Sequence, residues 1–159
     1  MINVLTTLST SELHALMPHS GDMCLINKVL SVDDSAIEVL AEVEDPGSHP
    51  LACDNRLSVL LLPEFAAQAA ALHLNRSGDS VFGATDAPVF LAAVKQFNWQ
   101  GARRCLGGAV LRINAWRLSA SAVGAMYQFD ATVGDGASGN ELSASGRFSL
   151  MVAREPQVD

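Results

Sequence analysis

Residues 57–77 constrain this chain more than any other stretch, because they are apolar on almost every face yet carry one acid, Glu64. Ala and Leu dominate, β-branched residues are nearly absent, Ser58 can cap the start and Ser77-Gly78 supplies a stop, so the segment reads as a helix. A helix apolar all round must be buried on all sides, which predicts a central helix wrapped by strands. It is too short and too interrupted to cross a bilayer, which takes ~20 clean apolar residues. Pro63 constrains where the regular helix begins: its missing N–H is harmless in the first turn, but deeper in the ring would clash with the preceding turn. Either the regular helix starts near Leu61 or Leu62, or residues 59–62 form a looser turn leading in. In both cases Glu64 lies close to the helix N-terminus. The helix dipole there favours a charged carboxylate, whereas burial among Leu and Phe favours the neutral acid. A carboxyl balanced in this way suits a general acid, and a capping or hydrogen-bonded structural role satisfies the same spacing.

A chain of 159 residues suits one domain with a core of its own, residues 1–159, ending in a frayed tail at about 154–159. The net charge of −7, with no basic cluster larger than Arg103-Arg104, argues against nucleic acid as a partner. Cys24, Cys53 and Cys105 match no zinc spacing and read as buried free thiols in a reducing compartment. Residues 1–8 have neither a basic n-region nor a long apolar run, so the expected location is the cytoplasm.

Before the central helix, Ser9 and Glu12 form a capping-box pattern for a short helix that stops at Pro18. The turn-rich corner Pro18-His19-Ser20-Gly21-Asp22 then holds His19 outside regular structure, where it can either bind backbone or catalyse. Residues 23–33 and 36–43 read as an antiparallel hairpin. The second strand alternates cleanly, with Ile37, Val39, Ala41 and Val43 on one face and Glu38 and Glu42 on the other. Residues 44–55, with two prolines, Gly47 and His49, form a loop into the helix. After it come a polar loop at 78–88 and strands at 89–99, 109–119, 122–133 and 141–153, with a short basic turn at 100–105 and a glycine-rich turn at 134–140. Such an order is α+β: an antiparallel sheet around one buried helix, with open edges that favour pairing with a second copy. His14 and His73 read as a solvated helix residue and a helix C-terminal one, and Trp99 and Trp116 as aromatics packed on the sheet or lining an acyl tunnel. Lys95, Arg103 and Arg104 read either as ordinary surface charge or as contacts for an acidic carrier or its phosphate. Gly107-Gly108 lacks the context of a phosphate-binding loop.

At four places the residues resemble those of hotdog-fold 3-hydroxyacyl-ACP dehydratases. The stretch Leu16-Met17-Pro18-His19 through Met23-Cys24-Leu25-Ile26-Asn27-Lys28-Val29 is similar to their Leu-Pro-His opening, and Pro63-Glu64-Phe65-Ala66-Ala67-Gln68-Ala69 to their helix motif. Phe90-Leu91-Ala92-Ala93-Val94-Lys95 resembles the strand after the helix, and Ser143-Ala144-Ser145-Gly146-Arg147-Phe148 the closing strand. The branch most resembled is the dehydratase-like proteins of aryl-polyene pigment clusters.

The resemblance implies a hotdog fold and loss of water from a 3-hydroxyacyl thioester carried on the phosphopantetheine arm of acyl carrier protein. No metal or organic cofactor is implied. The expected partners are the carrier protein and a second hotdog subunit, identical or different. A base takes the α-proton, an acid protonates the leaving hydroxyl, and backbone N–H groups at the helix start polarise the thioester carbonyl. Glu64 matches the family's helix acid. The base is either His49, in Gly47-Ser48-His49-Pro50, or His19 in the Pro-His corner. Ser58, Val59 and Gln68 are the expected substrate-binding residues. Ser58-Val59 stands where housekeeping members have Pro-Gly, and Pro63 before the acid is also a departure. Two alternatives therefore stand beside the dehydratase: a non-catalytic hotdog subunit of a heteromeric enzyme, and an acyl thioesterase in which Glu64 activates water.

Overall fold

The computed structural model describes residues 4–17, 19, 21–45, 47–75, 89–101, 104–105 (backbone only), 109–134 and 142–153. The expected helix stop at Ser77-Gly78, the loop at 78–88, Arg103, Gly107-Gly108, most of the glycine-rich turn and the tail lie outside the described residues.

The chain enters through a 3-10 turn, Val4–Thr7, and the short helix α1, Thr10–Ala15. Ser9 caps α1 through a capping box with Glu12, as the spacing predicts. A second 3-10 turn, Gly21–Met23, follows, and β1 begins only at Lys28 (Lys28–Val32), five residues later than its apolar run suggests. β2, Ala36–Val43, buries Ile37, Val39, Ala41 and Val43, the face expected from its alternation. The two-residue strand β3, Leu57–Ser58, leads into a 3-10 turn, Val59–Leu61, capped by Ser58, and regular helix α2 runs Leu62–Asn75. Both expectations for Pro63 hold together: a looser turn comes first, and the proline sits in the first turn of α2, where its missing N–H is harmless.

Every residue of α2 except Glu64 and Asn75 is buried. Wrapped around it are β4 (Val89–Gln100), β6 (Ala109–Ser121), β7 (Gly124–Gly134) and β8 (Leu142–Val152), while the two residues of β5, Arg104–Cys105, pair with β3. The large sheet is antiparallel throughout, in the order β1-β2-β6-β7-β8-β4. Its inner face supplies Val39, Ile113, Phe129 and Phe148 against Phe65, Ala66, Ala69 and Leu72 of the helix in one hydrophobic core. This is the hotdog arrangement: an antiparallel sheet curled around one buried helix.

Three expectations need correction. The β3–β5 pair falls within stretches read as helix and basic turn, because a ladder of two residues has no periodicity to detect. Cys53 is exposed and Cys24 half-buried, so these two thiols are not core residues. His14 is half-buried, its Nε2–H donating to the Ile26 carbonyl at 2.9 Å, and thus ties α1 to the chain before β1 rather than facing solvent.

Candidate active site

Glu64 is the second residue after Leu62, so the first turn of α2 holds its carboxylate at the start of a largely apolar helix. There it meets His19, with Nε2 and Oε1 3.4 Å apart and the two side chains 31% and 26% exposed. That separation exceeds a tight charge-assisted bond, as is common in catalytic pairs without substrate. The imidazole's other nitrogen, Nδ1, is buried and has no hydrogen-bond partner among the described residues. Of the two histidines put forward as the base, His19 is the one in contact with the acid.

His49 is placed differently. Its ring stacks on Phe65, with centroids 6.2 Å apart and planes 24° from parallel, and its Nδ1 accepts the Leu51 N–H at 3.2 Å. Burial holds the imidazole below its ordinary titration range, and the neighbouring charge of Asp22 offsets this only in part. The ring faces a cleft of about 330 Å³. Asp22, Glu42, Glu44 and Asp45 give this cleft an acidic rim, while Cys24, Leu25 and Phe65 supply its less polar wall. Among the described residues no group of three or more His, Cys, Asp or Glu side chains is arranged to hold a metal ion.

The corner that carries His19 is held by short-range bonds within it and by Gln68 from α2. Gly21 takes φ +60°, a left-handed conformation that suits glycine, and opens the 3-10 turn. The Cys24 N–H donates to the Gly21 carbonyl at 3.0 Å, and the Cys24 thiol, whose pKa burial pushes up, donates to the His19 carbonyl at 3.2 Å. Gln68, 1% exposed, sends its Nε2–H to the Met23 carbonyl at 2.7 Å and accepts the Leu25 N–H on Oε1 at 2.8 Å.

The other expected substrate contacts surround the helix start. Ser58 Oγ accepts the Leu60 N–H at 3.3 Å, and the Ser58 backbone pairs with that of Arg104 in β5. Val59 is 1% exposed, which leaves its side chain in the core.

A buried polar pair that helix and strand patterns do not announce lies toward the other end of α2. His73, expected simply near a helix end, is 3% exposed. Its Nε2–H donates to the Asp33 carbonyl at 2.9 Å, so Nδ1 accepts the Tyr127 hydroxyl at 2.8 Å. Burial pushes the tyrosine hydroxyl up, far from ionisation. Tyr127 is the chain's one tyrosine and sits in a strongly alternating apolar strand, where its hydroxyl needed a partner; that was the available signal.

A family model described as ApeP-like, ApeP dehydratase, matches residues 11–158. Among solved structures the chain is similar to the dehydratase heterocomplex ApeI:P from Xenorhabdus doucetiae, at 19% identity and TM-score 0.72, covering 93% of each chain. It is also similar to zebra fish thioesterase superfamily member 2, at 16% identity and TM-score 0.57, covering 92% of this chain and 100% of that one. A third likeness is to AziG of S. sahachiroi, at 14% identity and TM-score 0.50, covering 84% and 94%. No curated protein matches the chain in sequence. At these identities the structural likeness carries the fold, and the family match carries the class of chemistry.

Proposed function

The chain belongs to the ApeP-like dehydratase family, and on that premise we propose that it removes water from a 3-hydroxyacyl thioester held on the phosphopantetheine arm of an acyl carrier protein. The observation that carries this reading is the contact between His19 and Glu64. His19 Nε2 takes the proton α to the thioester carbonyl, and that electron pair forms the 2,3 double bond. Glu64, as the acid, gives a proton to the 3-hydroxyl as the carbon–oxygen bond breaks, and water leaves. His19 then carries a proton that Glu64 lacks. Because the two side chains touch, the proton returns across the pair without a second base, and the site is reset. Backbone N–H groups at the start of the helix, next to Ser58 and Val59, polarise the thioester carbonyl. All steps are acid–base, so the proposal includes neither metal nor organic cofactor.

His49 is assigned to the cleft wall rather than to the chemistry, since its ring lies on Phe65 and its Nδ1 already accepts a backbone N–H. The likeness to a chain of a dehydratase heterocomplex supports assembly with a second, different hotdog subunit.

The test is mass spectrometry of a 3-hydroxyacyl carrier protein incubated with the parent chain and with Glu64→Gln, His19→Ala and His49→Ala. The parent and His49→Ala should remove one water, while Glu64→Gln and His19→Ala should be slower by about 10²–10⁴-fold. Release of free acid would instead assign a thioesterase. Binding of the carrier with no mass change would assign a non-catalytic subunit.

A further inference from the structure

Gln68 stands four residues after Glu64, one turn along the same face of α2, in a helix otherwise filled there by Ala, Leu and Phe. A buried amide is costly unless both of its ends are bonded, and here both are, to the Met23 carbonyl and the Leu25 N–H. Those two groups flank Cys24, whose thiol and N–H in turn hold the His19 and Gly21 carbonyls. An unbroken run of bonds therefore joins the helix that carries the acid to the corner that carries the histidine. The side chain is 1% exposed, which puts it behind the reacting pair rather than on a surface a substrate reaches.

We propose that Gln68 is a positioning residue: it clamps the 19–25 corner onto α2 so that the His19 imidazole meets Glu64, and it does not touch the substrate. The inference rests on the reading of His19 and Glu64 as the working pair. A displacement of the imidazole by about 1 Å is enough to lower turnover about 10²-fold.

Gln68→Leu keeps much of the side chain's shape and removes both bonds. It should lower kcat about 10²-fold with KM little changed. The imidazole ¹⁵N resonances of His19 supply the second readout. In the parent they should shift on Glu64→Gln, and in the Gln68→Leu background that response should be lost. Gln68→Glu gives a third readout that does not depend on the leucine variant folding: its carboxyl, once protonated, again offers one acceptor and one donor. Its activity relative to the parent should therefore climb as pH falls.

A raised KM with kcat preserved in Gln68→Leu, an undiminished response of His19 to Glu64→Gln in that background, or a flat pH ratio for Gln68→Glu would each overturn the positioning role. If His19 in the parent does not respond to Glu64→Gln, the working pair itself is wrong, and the role of Gln68 falls with it. A response that is present in the parent and survives Gln68→Leu defeats the positioning role alone.

Discussion

The bond from Tyr127 to His73 ties β7 to the end of α2, and it is a residue-scale feature with a measurable cost. Tyr127→Phe leaves a buried ring nitrogen without its donor, and chemical denaturation should show a loss of about 1–3 kcal/mol. His49 gives a pH prediction. Its folded-state pKa is held below the ordinary histidine value, so the neutral ring stabilises the fold at neutral pH, and that contribution is lost as pH falls through the unfolded value and then the folded one. His49→Asn retains an acceptor near Nδ1 and cannot titrate. Its melting temperature should therefore fall less than the parent's between pH 7 and pH 5. At this scale the sequence was legible where a residue broke a pattern. Glu64 was found as the one acid in an apolar helix, whereas the choice between His19 and His49 depends on how two loops return to that helix. Spacing along the chain does not encode that return. Gln68 carried the same pattern-breaking signal as Glu64, but its partners lie more than forty residues away, at Met23 and Leu25.

Elements with a clean period were readable, and those held by tertiary contacts were not. β2 shows its buried face in sequence as it does in the fold. β1 begins late because Met23, Leu25 and Ile26 belong to a corner clamped to α2 or to the core, so an apolar run that resembles strand is never laddered. The turn between β6 and β7 is Ala122-Val123, which lacks the glycine or asparagine that marks most hairpins, so the sequence pattern places the start of the next strand at Ala122, two residues before the observed Gly124. Gly124 closes that turn. A Cβ built there would lie 2.5 Å from the Leu150 carbonyl oxygen, which is backbone and cannot rotate away. Gly124→Ala should cost about 1–3 kcal/mol, visible as a lowered denaturation midpoint at unchanged slope.

Across the whole molecule, the sheet order leaves β1 and β4 as edges. β4 is long, and Phe90 and Val94 on it are 48% and 39% exposed, a surface that ordinarily takes another chain. Light scattering of the purified protein should give a mass of at least two chains, and Val94→Lys should move it toward one. No helix among the described residues is long and apolar enough to cross a membrane. The layering of one helix under a curled sheet was legible from the buried segment alone, while the strand order was not, because alternation tells a strand its face and never its neighbour. That order also bears on how fast the chain finds its fold. The seam between β2 and β6 pairs Val43 with Ala109, and α2 lies within the loop it closes. β6, β7 and β8 can zip as consecutive hairpins in microseconds, whereas the seam closes across the whole stretch of chain that holds the helix, at a larger loop-closure cost. Refolding should therefore run on the slow millisecond-to-second scale of non-local β proteins. Bulky substitutions at Ala66 or Ala70 should slow folding itself, and not merely speed unfolding, if the helix seats before the β2–β6 ladder forms; refolding and unfolding rates of the variants distinguish the two orders.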